Sequence, residues 1–125
     1  SSSAASDVYK RQIETRAADG RAIILPYTAA VSATLAMLVF GDVTALSDSI
    51  KLALATFVVL GSLWVIIWWD GIFQDFAALQ KSMPAGVAST PFGAVMAKAP
   101  IVVFRVVNLL VIGLITLAQV LAIYD

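Results

Sequence analysis

The chain has 125 residues, of which 61% are hydrophobic and 13% charged, with eight basic and eight acidic side chains. A soluble domain of this size would expose too much of that apolar surface, and a balanced charge provides no basic patch for nucleic acid. The absence of cysteine and histidine from the sequence excludes disulfides, thiolate metal sites and histidine-based haem ligation or proton transfer. We therefore predict an all-α integral membrane protein that binds no nucleic acid, has no metal site and is not an enzyme.

The first twelve residues have an unusual origin. Residues 2–12 read SSAASDVYKRQ, which is the in-frame translation of a transposase-end sequencing adapter. We interpret residues 1–12 as a translated adapter and expect them to lack contacts with the helices or to have side chains that fit their surroundings poorly. The alternative is a genuine disordered terminus rich in serine and alanine. Residues 13–125 are predicted to form a single three-helix transmembrane domain.

Three apolar runs approach or exceed the length that crosses a bilayer, at residues 22–40, 50–69 and 100–124. An α-helix rises about 1.5 Å per residue, so about 20 apolar residues cross a hydrocarbon core of about 30 Å. The first run is marginal, the second fits, and the third is long enough to tilt or protrude. This pattern predicts three transmembrane helices.

The first helix is predicted to begin at residues 19–20, which places Pro26 in its first turns, where a missing N–H is tolerated. Thr28, Ser32 and Ala36 follow at a spacing of four and therefore lie on one face. Such a ridge of small residues lets another helix approach closely. We predict that these three residues form a helix-packing surface.

The segment after the second apolar run remains helical in pattern. Ser47 is a candidate cap for the second helix, and the short loop predicts an antiparallel hairpin with the first. Residues 69–83 show amphipathic spacing, which predicts a short amphipathic helix between the second and third spanning helices. It either continues the second helix or lies along the membrane surface, against lipid or a partner subunit. Ser89 or Thr90 then predicts the start of a short helix over residues 92–98.

Polar side chains recur along the third apolar run. Arg105, Asn108, Thr116 and Gln119 fall near one helical stripe. Polar groups are costly in lipid, so we expect the stripe to face protein, a cofactor or ordered water, with Thr116 in helix packing. Arg105 and Lys98 are expected to bind lipid phosphate at the interface, with a buried ion pair as the alternative for Arg105.

Two amides of this stripe have a more specific alternative. We expect Asn108 and Gln119 to hydrogen-bond across to other helices. Either side-chain carbonyl is also a candidate ligand for the magnesium of a chlorophyll, because hard cations accept oxygen ligands. The candidate cofactors are therefore chlorophyll or carotenoid, together with bound lipid.

The charges indicate an orientation. Basic residues precede the first apolar run and flank the loop before the third, whereas the opposite side is mostly acidic. The positive-inside rule places the N-terminus on the stroma, matrix or cytoplasm side and the C-terminus on the opposite side. The expected location is a thylakoid or inner mitochondrial membrane.

Three helices without a catalytic set of residues favour a component of a larger assembly. We expect a non-catalytic accessory subunit of a multisubunit photosynthetic or respiratory complex, which contacts other membrane subunits and lipid. The alternative is a homo-oligomeric channel or transporter unit, or a fragment of a larger carrier, in which the polar stripe lines the path.

Overall fold

The computed structural model describes residues 2–125, which are almost entirely helical. The α-helices are α1 (Ser2–Phe40), α2 (Asp48–Lys81), α3 (Ala85–Ala88), α4 (Pro91–Lys98) and α5 (Ile101–Tyr124). Of these, α1, α2 and α5 are long and apolar enough to cross a membrane. The prediction of an all-helical chain with three helices of membrane-spanning length is confirmed.

The surface of these helices is unusually apolar. In the most apolar 18-residue stretch of α1, α2 and α5, only 6%, 22% and 11% of the residues are buried by the chain itself. Monomeric soluble proteins rarely expose contiguous apolar surface on this scale. The arrangement therefore fits helices that are covered by lipid or by other subunits.

Helix α1 is longer than predicted. It begins at Ser2 rather than at residues 19–20, and it runs without a break through Gly20 and Pro26. The expectation that Pro26 lies in the first turns is wrong. A contact between helices lies at the predicted start: the Trp68 indole nitrogen of α2 donates to the Asp19 carbonyl oxygen of α1 at 3.1 Å. Contacts with α2 thus support the helix across the position where local signals predicted its start.

Gly20 lies directly beneath the ring of Trp69 on α2. A Cβ atom added to Gly20 would lie only 2.6 Å from the nearest carbon of that ring. Glycine therefore allows close approach of the two helices here, because a larger side chain would have to displace the edge of the indole.

Part of the suspected adapter segment packs against the rest of the chain. Tyr9 is only 3% exposed, packs with Leu79 and Val87, and donates its hydroxyl hydrogen to the Leu79 carbonyl oxygen at 2.8 Å. The expectation of absent or poor contacts is therefore wrong at Tyr9, while Ser1 lies outside the described residues. The adapter origin of the segment stays a prediction.

Helix α2 contains residues 69–81 of the amphipathic segment. That segment continues α2 as far as Lys81, so it is neither a separate helix nor an element lying apart from α2. Ser47 caps α2 by accepting from the Ile50 N–H at 3.4 Å, as predicted. Thr90 likewise caps α4 by accepting from the Gly93 N–H at 3.0 Å. The separate short helices between α2 and α5 are α3 and α4.

Helix α2 is the centre of the bundle. It packs against both α1 and α5, whereas α1 and α5 share little contact. Near its N-terminal end, Ala55 and Val58 form a core with Ile123 of α5, which is only 1% exposed. The two outer helices are thus held mainly through α2, which leaves space between them.

We expect that Gly20→Leu destabilises the bundle, because its side chain would overlap the Trp69 ring. Overpacking of this kind costs about 1–3 kcal/mol. The matched control is Gly71→Leu, since a Cβ atom at Gly71 meets nothing within 4 Å. Thermal unfolding in detergent should show a lower Tm for Gly20→Leu and an unchanged or higher Tm for Gly71→Leu. Equal Tm values for the two variants would contradict the close approach of α1 and α2 at Gly20.

Candidate functional site

A bidentate ion pair joins α2 to α5. The Arg105 Nε atom lies 2.7 Å from Asp70 Oδ1, and its Nη2 atom lies 3.1 Å from Asp70 Oδ2. Two parallel charge-assisted bonds fix direction as well as distance. The Arg105 and Asp70 side chains are 43% and 31% exposed, so solvent or lipid headgroups screen the pair. Arg105 therefore forms an ion pair, the alternative to lipid phosphate, but at a partly exposed position; its binding to lipid stays a prediction.

Further polar contacts lie on the same part of α2. Arg16 of α1 bonds Asp75 of α2 at 3.1 Å and Asp19 of its own helix at 3.3 Å. Gln80 donates to the carbonyl oxygens of Met96 and Ala99, each at 2.8 Å, and so anchors the end of α4. These charged and amide contacts lie on the C-terminal half of α2, beside the apolar cluster of Tyr9, Leu79 and Val87.

Lys98 lies in the last turn of α4 and is exposed. This position leaves its ammonium group accessible to an anionic headgroup. Its predicted role in lipid binding is compatible with the fold and stays a prediction.

The polar stripe of α5 is divided between two environments. Asn108 donates from its amide nitrogen to the Ile66 carbonyl oxygen of α2 at 3.3 Å, which confirms the predicted bond to another helix. Gln119 instead donates to the Ile115 carbonyl oxygen of its own helix at 3.2 Å, so the same prediction is wrong for Gln119. Thr116 also bonds within α5, to the Ile112 carbonyl oxygen at 2.7 Å.

Asn108 lines an apolar groove of about 460 Å³. The groove lies between α1 and α5, and its walls include the rings of Trp69, Phe73 and Phe104. These rings form a continuous series, with centroids 5.5 Å apart for the first two and 6.0 Å apart for the last two. The surface suits an acyl chain or a pigment.

The two candidate chlorophyll ligands differ in the space beside them. The bond to the Ile66 carbonyl oxygen uses an N–H of the Asn108 side chain, because a carbonyl can only accept a hydrogen bond. The side-chain oxygen of Asn108 is therefore not used in that bond, and the residue lies beside the open groove. Gln119 is only 3% exposed and lines a cavity of about 210 Å³. Chlorophyll ligation stays a prediction for both residues, and the available space favours Asn108.

The small-residue ridge of α1 is not used inside the chain. Thr28, Ser32 and Ala36 are all exposed. The face of α1 that packs on α2 instead contains Thr34, which is only 3% exposed. The ridge therefore remains open to a neighbouring helix, and its packing role stays a prediction.

A second cavity collects the buried polar residues of the described chain. Thr34 of α1, Ser62 of α2 and Gln119 of α5 are 3%, 4% and 3% exposed, and all three line the cavity of about 210 Å³. The Tyr27 hydroxyl also lies there, enclosed and without a hydrogen-bond partner among the described residues. A single hydroxyl in an apolar run has no diagnostic spacing, so the sequence did not predict Tyr27 and Ser62 as site residues. The seven-residue spacing of Tyr27 and Thr34, which places them on one face, is the signal that was available.

Comparisons with known protein families, with curated proteins and with solved structures find no match. Within residues 2–125, no cluster of three acidic side chains is placed to hold a metal ion. What the arrangement offers chemically is an apolar groove, a cavity with hydroxyl groups and an open small-residue ridge.

We expect Asp70→Asn and Arg105→Met each to lower the free energy of unfolding by a small amount, because each removes a bidentate pair that is partly screened. The double variant should lose less than the sum of the two single losses, and this coupling should decrease at high salt. Unfolding in mixed micelles measures all three variants.

The matched control for that cycle is Asp75→Asn, since Arg16 keeps Asp19 as a partner when Asp75 is neutralised. A smaller loss is expected there. Strict additivity of the Asp70 and Arg105 substitutions would show that the pair does not couple α2 to α5.

Proposed function

We propose that this chain is an integral membrane protein that serves as a non-catalytic accessory subunit of a multisubunit complex in a photosynthetic or respiratory membrane. The observation that carries the proposal is the open ridge of Thr28, Ser32 and Ala36 on α1. A helix that crosses lipid with such a ridge uncovered has a preformed surface for a neighbour. The role is scaffolding: the subunit fills space between larger subunits and holds lipid or pigment.

The direction of the ridge supports this role. At about 100° per residue, Ser32 lies about 140° around α1 from the face that contains Tyr27, Thr34 and Leu38. That second face packs within the chain. In lipid, helices associate through close packing rather than through hydrophobic burial, and small side chains allow that packing. The ridge is therefore positioned to bind a different helix while α2 occupies the opposite face.

The channel or transporter alternative requires a free polar surface on α5. In this fold, Asn108 is bonded to α2 and Gln119 is buried. Gln119 therefore faces no open path unless α5 separates from α2, and Asn108 borders a groove whose walls are apolar. The alternative stays a second hypothesis, and the experiment below distinguishes it from the accessory role.

The proposed orientation places the N-terminus and the α2–α5 loop on the stroma, matrix or cytoplasm side, and the C-terminus on the opposite side. Arg16, Lys81 and Lys98 lie toward that inner end, in agreement with the positive-inside rule. A thylakoid or inner mitochondrial membrane is the proposed location. Bound lipid, carotenoid or chlorophyll would occupy the groove beside Asn108, where aromatic rings provide the contact surface.

The test is mild extraction from the native membrane, native-gel separation and mass spectrometry of the band that contains this chain. We expect co-migration with a large assembly at fixed stoichiometry. Ala36→Leu should reduce incorporation several-fold, because it enlarges the ridge. Ala118→Leu is the matched control, since Ala118 is exposed on α5 away from the ridge. Migration as a homo-oligomer would replace the accessory role with the channel hypothesis.

A further inference from the structure

The cavity between α1 and α2 contains hydrogen-bond donors that the chain does not use. We propose that it binds a lipid-soluble ring ketone, a molecule of the quinone or keto-carotenoid class. The ketone oxygen accepts hydrogen bonds from Tyr27 and Ser62. This inference goes beyond the proposed function and does not depend on it.

The hydrogen-bond pattern identifies the free donors. Thr34 donates to the Ala30 carbonyl oxygen at 3.0 Å, so its proton is used within α1. Gln119 uses one N–H in the same way within α5. The Tyr27 hydroxyl has no partner in hydrogen-bonding geometry within residues 2–125, although the Ser62 hydroxyl of α2 lies close enough to interact with it. Even a bond between these two hydroxyls would use only one of their two protons and leave the other for an acceptor. A buried unpaired hydroxyl costs about 1–3 kcal/mol, which an acceptor oxygen would recover.

The shape of the cavity favours a flat ring. Gly61 lies in its wall, and a Cβ atom there would meet nothing within 4 Å. Phe57 and Trp64 lie four residues before and three residues after Gly61, so the two aromatic side chains flank the open glycine surface on one face of α2. A ring can lie on the Gly61 backbone between them. A cavity of about 150 Å³ holds benzene, so about 210 Å³ accommodates a substituted six-membered ring.

The position of the cavity favours a ligand from the lipid phase. Phe57 and Trp64 at its mouth are 59% and 66% exposed, and both lie within the apolar part of α2. Ser62 lies eight residues from Asp70, or about 12 Å along the helix axis toward the centre of the apolar run. Lipid ester carbonyls stay near the interface, whereas the ring carbonyl of a quinone with an apolar tail can enter the hydrocarbon core. Ordered water is the competing occupant.

The experiment uses the full chain in nanodiscs and 2-decyl-1,4-benzoquinone as the probe, with quenching of tryptophan fluorescence as the readout. We expect saturable quenching with the wild type. Tyr27→Phe and Ser62→Ala should each weaken the apparent affinity by about 3- to 10-fold, because each removes one hydrogen bond. Gly61→Leu should abolish saturable quenching, since its side chain fills the space over α2.

Two matched controls separate binding from general disturbance of the helices. Gly113→Leu places the same side chain on α5, where a Cβ atom also meets nothing within 4 Å, and Tyr124→Phe removes a hydroxyl at the end of α5 outside the cavity. Both should retain the wild-type affinity. Circular dichroism of each variant verifies that the helices are intact.

Three results would overturn the proposal. Quenching that does not saturate would show that the probe only partitions into lipid and does not enter the cavity. Equal affinity in the wild type and Gly61→Leu would place the probe elsewhere. Decylbenzene, which has the same tail and ring size but no carbonyl group, should fail to compete, and full competition would show that Tyr27 and Ser62 do not select the ligand.

Discussion

The Asp70–Arg105 ion pair sets the alignment on which the other contacts between α2 and α5 depend. A shift of one helical turn moves a side chain by about 5.4 Å, which neither bond of the pair, at 2.7 and 3.1 Å, could survive. The two helices run antiparallel, so residues before Asp70 meet residues after Arg105. Asn108 accordingly reaches Ile66, and farther along Ile123 enters the core with Val58. A partly exposed pair of modest energy thus specifies register more than it contributes stability.

The space available for ligands follows from the central position of α2. Since α1 and α5 each pack mainly on α2 and barely touch one another, the bundle has grooves instead of a closed three-helix core. The groove beside Asn108 has an aromatic wall and one free amide oxygen, whereas the cavity beside Ser62 has hydroxyl donors. Pro26 lines that second cavity and removes one N–H from α1, which reduces the backbone hydrogen bonding at its wall.

The sequence predicted those features that depend on residues close together in the chain. The presence of three helices long and apolar enough to cross a membrane and the caps at Ser47 and Thr90 follow from local composition and spacing, and they are confirmed. The start of α1 was wrong because Gly20 and Pro26 were interpreted as local signals. Gly20 actually accommodates Trp69, 49 residues away, and no property of the residues next to Gly20 contains that information. The partner of Arg105 was missed for the same reason.

The candidate site shows why hydroxyl groups in an apolar helix are not equally informative. Thr34 and Thr116 can bond the carbonyl oxygen four residues earlier, and both do so, so their presence requires no partner outside their own helix. A tyrosine hydroxyl is held away from its own backbone by a rigid ring and must find an acceptor elsewhere. In α1, the tyrosine that meets this constraint within the apolar run is Tyr27, whose hydroxyl lies beside that of Ser62 on α2 but has no partner in hydrogen-bonding geometry within residues 2–125. Most polar groups in the longer stripe of α5 are bonded within the chain, so the stripe does not require a ligand. An enclosed tyrosine hydroxyl without a partner, beside an open glycine surface on the facing helix, is the stronger indication of a missing acceptor.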